Sequence, residues 1–201
     1  MAKILGVTAK AATARLLDPL GRALLRAGVS PNAVTLLGTA GVLAGSYFFA
    51  ARGQFPMAVL VITLCGLTDV MDGSMARARG TVSKFGALLD STMDRIADGA
   101  IFSALIWWFA TQGDWPTVFA ALICLVAGQA VSYVKARAEG LGFTCQVGLV
   151  ERAERLITVG VGALITGFGP DWGLPAALWL VAAGSVFTVF QRMIHVSRQA
   201  A

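Results

Sequence analysis

Long apolar stretches alternate with short polar breaks along the whole chain. Six stretches can be distinguished, and they cover residues 33–51, 56–76, 85–111, 115–134, 156–168 and 174–193. An α-helix needs about 20 residues to cross a bilayer. Each stretch comes close to that length, the fifth only with a polar lead-in from Val150. The pattern predicts an all-α integral membrane protein with six transmembrane helices.

Clusters of helix-breaking residues separate several of these stretches. The clusters at residues 52–54, 112–114 and 169–171 lie on one side of a six-span arrangement. Of the 16 lysines and arginines, Arg52 alone belongs to that side. Positive charge accumulates on the cytoplasmic face of membrane proteins. We therefore expect a multi-pass protein of the plasma membrane, with both termini in the cytoplasm.

The segment before the first stretch has an amphipathic pattern. At helical spacing, Arg15, Arg22 and Arg26 share one face, and the opposite face carries Leu16, Leu17, Leu20 and Leu24. We interpret residues 1–29 as a helix in the cytoplasmic interface, followed by a bundle over residues 30–201 within one domain, 1–201. An amphipathic helix packed on the bundle, with no lipid role of its own, fits equally well. Ser30 and Pro31 suit the start of the next helix.

Composition supports lipid as the solvent of this fold. The chain is 57% hydrophobic and 13% charged, about half the charged fraction of a soluble domain. Its net charge of +5 does not indicate nucleic acid, because the basic residues form short clusters without interleaved aromatic residues. Cys65, Cys124 and Cys145 show no disulfide or metal-ligand spacing.

Acidic residues inside two adjacent spans are the strongest chemical signal. Asp69 and Asp72 are spaced i, i+3, and Asp90 and Asp94 are spaced i, i+4, so each pair lies on one helix face. Carboxylates within a membrane are costly, and four of them near the cytoplasmic end would repel one another without cations. Oxygen ligands favour hard ions. The sequence therefore predicts a Mg²⁺ site that could also take Mn²⁺.

Two glycines accompany these acids. Gly73 follows Asp72, and Gly86 stands one turn before Asp90. Glycine in a membrane helix often serves close helix packing. Beside the carboxylates, we interpret both as leaving room for a ligand.

The acidic motif resembles the signature of the CDP-alcohol phosphotransferases, and it is written Asp69-x2-Asp72-Gly73-x2-Ala76-Arg77-x8-Gly86-x3-Asp90-x3-Asp94. Members of that family transfer a phosphoalcohol from a CDP-alcohol to an acceptor hydroxyl and release CMP. The resemblance also implies six spans, an interfacial N-terminal helix and a homodimer.

Residue roles follow from the resemblance. It implies that Asp69, Asp72 and Asp90 ligate metal and that Asp94 is the general base within reach of the metal. Contacts to the CDP-diacylglycerol nucleotide are implied for Asn32, Ala33, Val34, Thr35, Gly73, Arg77 and Ser83. Helix capping by Asn32 and Thr35, and a solvated turn at Ser83, are the plainer alternatives.

Basic residues at cytoplasmic helix ends point to the acceptor. They are Lys135, Arg137, Arg152, Arg155 and Arg192. Guanidinium groups suit phosphate oxygens, so we expect a phosphorylated acceptor. Ordinary positive-inside charge, partly paired with Glu139, Glu151 and Glu154, is the alternative. For Asp98 we expect a structural ion pair with a neighbour such as Arg95.

Residues 147–155 and the N-terminal region resemble the actinobacterial phosphatidylinositol phosphate synthases of this family. This implies transfer of the phosphatidyl group from CDP-diacylglycerol to inositol phosphate, giving phosphatidylinositol phosphate and CMP. A phosphatidylglycerophosphate synthase using glycerol-3-phosphate is the alternative. An ion transporter is disfavoured, because the acids lie near one membrane face beside a basic turn and no internal repeat is visible.

Overall fold

Helices make up most of the described part of the chain. The computed structural model describes residues 19, 21, 23–68, 71, 75 and 83–200 and contains no strand among them. Its helices of 12 residues or more are α1 (Pro31–Phe48), α2 (Phe55–Gly66), α3 (Lys84–Thr111), α4 (Trp115–Gly140), α5 (Arg152–Phe168) and α6 (Gly173–Ala200). A 3-10 helix, Ala50–Arg52, follows α1. The all-α prediction is confirmed.

The breaks between helices fall where the sequence predicted them. Gly53 and Gly113 have φ of 72° and 74°, a left-handed conformation that ends the preceding helix. A side chain on Gly53 would also collide with the ring of Trp108. Asp114 then caps α4 by accepting a hydrogen bond from the Thr117 N–H at 3.2 Å.

Three helical segments of the described chain are long and apolar enough to cross a membrane: Pro31–Arg52, Trp115–Gly140 and Gly173–Ala200. Phe55–Gly66 is apolar but shorter, at 12 residues. The helix α3 has 28 residues and carries several charges in its first half. The number of six spans therefore stays a prediction.

One compact unit consists of the described parts of Met1–Gly45 and Leu60–Ala97. Within it, glycines on one side of α1 allow α2 to approach closely, since a Cβ at Gly45 would lie 3.0 Å from Val61 Cγ1. Ser30 caps α1 by accepting from the Ala33 N–H at 3.2 Å, as predicted. Residues 23–26 are helical and end at Gly28. Most of the predicted interfacial helix lies outside the described residues.

The second unit consists of Ser46–Val59 and Asp98–Ala201. Here α6 packs against both α4 and α5. Leu174 and Leu178 of α6 are fully buried, and the Cys124 thiol of α4 donates to the Leu178 carbonyl at 3.2 Å. The outer faces of α4 and α6 instead expose large apolar side chains, including Phe119, Val126 and Phe190. Such faces suit contact with lipid.

The segment between α4 and α5 has no helix or strand and is fastened to α6 by side chains. The Gln199 amide accepts from Thr144 N–H at 3.0 Å and donates to the Thr144 carbonyl at 2.7 Å. The Thr188 hydroxyl accepts from the Val150 N–H at 3.1 Å. These bonds hold the start of α5, and with it Arg152 and Arg155, in place.

Candidate active site

The N-terminal half of α3 carries two of the predicted acids. Asp90 and Asp94 lie one turn apart on a continuous helix, and each is partly exposed. A carboxylate oxygen of Asp94 is 3.8 Å from the Arg95 guanidinium, with 22% of the Asp94 side chain exposed. Two carboxylates on one helix face offer oxygen donors that fit a hard divalent cation.

Two residues of the predicted nucleotide site, Asn32 and Ser83, lie beside Gly86 at the start of α3. The Ser83 hydroxyl accepts from the Gly86 N–H at 2.9 Å. A Cβ added to Gly86 would lie 3.0 Å from Ser83 Oγ and 3.5 Å from Asn32 Oδ1. Gly86 thus keeps a narrow polar gap open between α1 and α3.

The neighbouring positions of α1 are less accessible. Val34 is only 5% exposed, so its side chain faces the protein interior. Thr35 Oγ1 donates to the Pro31 carbonyl one turn earlier at 3.2 Å, which is a bond within the helix and not a cap. Ala33 is half-buried, and its N–H serves the Ser30 cap.

The rest of the acidic motif cannot be placed. Asp69, Asp72, Gly73 and Arg77 lie outside the described residues. In the part of the chain that is described, no three His, Cys, Asp or Glu side chains form a metal-binding group. Asp90 and Asp94 fit the metal prediction by their donor chemistry, and the complete ligand set stays a prediction.

The second unit contains a buried cluster of opposite charges. Asp98 of α3 is 3% exposed and accepts from two arginines of α5. Its Oδ2 is 2.8 Å from Arg155 Nη2, and its Oδ1 is 3.2 Å from Arg152 Nε. Asp98 was expected to pair with a neighbour such as Arg95, whereas these ion pairs join it to a different helix.

Arg155 keeps spare hydrogen-bonding capacity. The residue is 0% exposed, and its Nε and Nη1 have no hydrogen-bond partner among the described residues. Its guanidinium lies against α4, where a Cβ at Gly128 would be 3.2 Å from Nε. Buried N–H groups are normally satisfied. Unused donors on a buried cation favour a ligand with negative charge.

Arg192 of α6 is about equally buried, but each of its three guanidinium nitrogens donates a hydrogen bond. It is 2% exposed, and its Nε donates to the Val147 carbonyl at 2.7 Å. Its Nη1 donates to the Val131 carbonyl at 2.6 Å and its Nη2 to Glu151 at 2.8 Å. Gly148 makes room for this guanidinium, since a Cβ there would lie 3.1 Å from Nη2.

The two other basic candidates are more open. Lys135 is half-buried and Arg137 is exposed near the end of α4. Among residues 83–200, the structure shows no ion pair for either. Sequence reasoning missed Gly128 and Gly148, because an isolated glycine in an apolar helix or a loop carries no signal of the arginine packed on it.

Comparison with known families decides the class. The model of the CDP-alcohol phosphatidyltransferase family matches residues 28–190. The chain belongs to this family. It is therefore a membrane enzyme of the CDP-alcohol phosphatidyltransferase type, as the acidic motif indicated.

Curated relatives in the family have similar length. The phosphatidylinositol phosphate synthase of Streptomyces avermitilis is 49% identical over 201 residues, covering 96% of this chain and 82% of the relative. The synthase of Mycobacterium tuberculosis strain H37Rv is 45% identical over 188 residues, with 92% and 87% covered. That of Corynebacterium glutamicum is 41% identical over 198 residues, with 97% and 90% covered.

Solved structures of the Mycobacterium tuberculosis synthase match this CDP-alcohol phosphatidyltransferase closely. The complex with CDP-diacylglycerol superposes with a TM-score of 0.88 at 44% identity, covering 90% of this chain and 94% of that chain. The complex with manganese and citrate gives a TM-score of 0.86 at 44% identity, with 89% and 88% covered.

Proposed function

We propose that this enzyme transfers the phosphatidyl group of CDP-diacylglycerol to the hydroxyl of inositol phosphate, giving phosphatidylinositol phosphate and CMP. The observation that carries the choice of acceptor is Arg155, a buried cation with two unbonded donors. A phosphorylated acceptor supplies the charge and oxygens that such a group requires. Relatives that are 41% to 49% identical bear the name of this activity.

A divalent metal is part of this proposal. When bound, Mg²⁺ or Mn²⁺ would polarise the phosphorus and stabilise the CMP leaving group. Asp90 and Asp94 of the described chain, with Asp69 and Asp72 outside it, would hold the metal. The manganese found in the Mycobacterium tuberculosis structure supports a divalent ion in the family.

Asp94 is proposed as the general base. It accepts the proton of the acceptor hydroxyl while that oxygen forms a bond to the phosphorus bearing the diacylglycerol, and the bond from this phosphorus to CMP breaks. Its partly exposed carboxylate suits this role, because a base must be reachable by a water-soluble acceptor. No covalent intermediate with the protein is required.

The nucleotide is proposed to lie along the starts of α1 and α3. The gap that Gly86 keeps beside Ser83 and Asn32 supports this placement. Ala33, Val34 and Thr35 continue the same segment of α1 and belong to the proposed set. Gly73 and Arg77 complete the proposed set from outside the described residues.

The acceptor phosphate is proposed to bind at the α4 and α5 ends through Lys135, Arg137, Arg152 and Arg155. Arg192 was also a candidate. Because its described bonds use Nε, Nη1 and Nη2, the structure gives more support to a role in holding residues 147–151 in place.

The test is CMP release by purified protein with CDP-diacylglycerol and Mg²⁺ or Mn²⁺. Inositol phosphate, glycerol-3-phosphate, inositol and serine are compared as acceptors. We expect activity with inositol phosphate, loss of activity with EDTA, and recovery when Mg²⁺ or Mn²⁺ is restored. Activity with glycerol-3-phosphate alone would overturn the acceptor assignment.

Topology and assembly complete the proposal. The distribution of the 16 lysines and arginines supports six spans, with the termini and the active site on the cytoplasmic side of the plasma membrane. A homodimer is implied by the family resemblance. Accessibility of single cysteines introduced at Gly113 and Gly140 tests the sidedness, and chemical crosslinking in membranes tests the dimer.

A further inference from the structure

We propose that Asp98 is a positioning residue, which sets the orientation of Arg155 and Arg152 toward the acceptor phosphate. The proposal rests on the proposed function, since it assumes a phosphorylated acceptor. Asp98 lies outside the acidic motif, and no chemistry is assigned to it by that motif.

One buried carboxylate contacts both arginines at the start of α5. Asp98 is 3% exposed and lies 2.8 Å from Arg155 Nη2 and 3.2 Å from Arg152 Nε. The Arg155 side chain is 1% exposed, whereas 28% of the Arg152 side chain is exposed. Arg155 is therefore the buried cation of the cluster, and its unbonded donors suit phosphate oxygens.

The geometry of Arg155 depends on Asp98. Only Nη2 of this guanidinium is bonded within the described chain, and Asp98 is its acceptor. Gly128 of α4 lies against the face of the guanidinium, with a Cβ position 3.2 Å from Nε and 3.3 Å from Cζ. With Asp98 bonded at Nη2, the Nε and Nη1 donors of Arg155 are left unbonded in the described part of the chain.

The position of the Arg192 guanidinium does not depend on a single carboxylate. Two backbone carbonyls hold it besides Glu151, at 2.7 Å and 2.6 Å. Loss of a single carboxylate would leave Arg192 in place. Among the described residues Arg155 has no such additional acceptor, so its orientation responds to the charge of Asp98.

The experiment is a double-mutant cycle in the CMP-release assay, with Asp98→Asn, Arg155→Lys and both together. We expect each single variant to raise the acceptor KM about tenfold or more, because orientation of the phosphate ligand is lost. The CDP-diacylglycerol KM should stay within about twofold. The acceptor KM of the double variant should be no higher than that of the more impaired single variant, because both changes remove the same interaction between Asp98 and Arg155.

Asp98→Glu and Asp171→Asn are the matched variants. Asp98→Glu keeps the charge, so the acceptor KM should fall between those of wild type and Asp98→Asn. If Asp98→Asn does not fold, Asp98→Glu alone decides, with a raised acceptor KM supporting the proposal. Asp171 is an exposed acid in a turn, and Asp171→Asn should behave as wild type.

Several outcomes overturn the role of Asp98. They are an unchanged acceptor KM in a folded Asp98→Asn or Asp98→Glu variant, an equal rise in both KM values, and additive effects in the cycle. The wild-type acceptor profile is a separate readout. If wild type uses glycerol-3-phosphate instead of inositol phosphate, the proposed function fails, while the cycle with that acceptor still decides for or against Asp98.

Discussion

Asp94 and Asp98 lie one turn apart on α3 and differ in how their charge is compensated. Asp98 is buried and bonded to two arginines of α5 at 2.8 Å and 3.2 Å. Asp94 is partly exposed, and its ion pair with the adjacent Arg95 is longer, at 3.8 Å. A short buried pair fixes a side chain, whereas a partly exposed carboxylate can be reached by a cation or by the acceptor. Neighbouring acids on one helix are thus suited to different tasks.

The largest expected effect is a loss of turnover without a loss of stability when Asp94 is changed. We expect Asp94→Asn to lower turnover by about 10²–10⁴-fold, because a general base is lost. CDP-diacylglycerol binding, measured by titration calorimetry, should be largely preserved, and the thermal midpoint should stay close to that of wild type.

Asp98→Asn provides the contrast, with a lowered thermal midpoint because a buried ion pair is broken. Loss of nucleotide binding in Asp94→Asn would give Asp94 mainly a ligand or structural role. A midpoint lowered as much as in Asp98→Asn would remove the distinction between the two acids.

An intermediate effect is expected at Arg192. Arg192→Met removes charged hydrogen bonds to two carbonyls, and each such bond contributes about 1.5–3 kcal/mol. We expect the thermal midpoint, measured by differential scanning fluorimetry in detergent, to fall by about 5 °C or more.

Arg198→Met is the matched control, since Arg198 is exposed near the end of the same helix. An unchanged thermal midpoint in Arg192→Met, together with a raised acceptor KM, would indicate that Arg192 binds the acceptor.

The smallest expected effect concerns Gly128 of α4, which lies beside the Arg155 guanidinium. Gly128→Ala places a Cβ 3.2 Å from Nε, so the guanidinium must shift by a few tenths of an ångström. We expect the acceptor KM to rise about threefold, which is less than for Arg155→Lys. A displaced Arg155 guanidinium should bind the acceptor phosphate more weakly.

Gly160→Ala serves as the control in Gly128→Ala assays, because a Cβ at Gly160 of α5 meets nothing within 4 Å. Equal effects of the two substitutions on the acceptor KM would show that Gly128 does not determine the position of the Arg155 guanidinium.

Helix positions followed from sequence because they depend on contiguous residues. Apolar stretches of bilayer length and glycine-containing breaks located α1 and α3 to α6, and the Ser30 cap was predicted correctly. The length of α4 was underestimated, since it continues to Gly140 beyond the predicted end at 134. Polar residues at its cytoplasmic end do not interrupt a helix, although they end the hydropathy signal.

The acidic motif was accessible for the same reason. Fixed spacing within one helix places Asp90 and Asp94 on one face without any knowledge of how the helices pack. The partners of Asp98 were not accessible. Arg155 is 57 residues away in sequence, and its choice between Asp98 and other acids depends on the packing of α3 and α5.

The resemblance of the acidic motif was sufficient to assign the family, and residue spacing and hydropathy located the helices and the candidate metal-binding acids, because these properties reside in short segments of chain. They did not reveal that Nε, Nη1 and Nη2 of Arg192 each donate a hydrogen bond, while Nε and Nη1 of Arg155 have no partner among the described residues. That difference arises from helix packing and from glycines that admit each guanidinium. It exists only where residues distant in sequence meet.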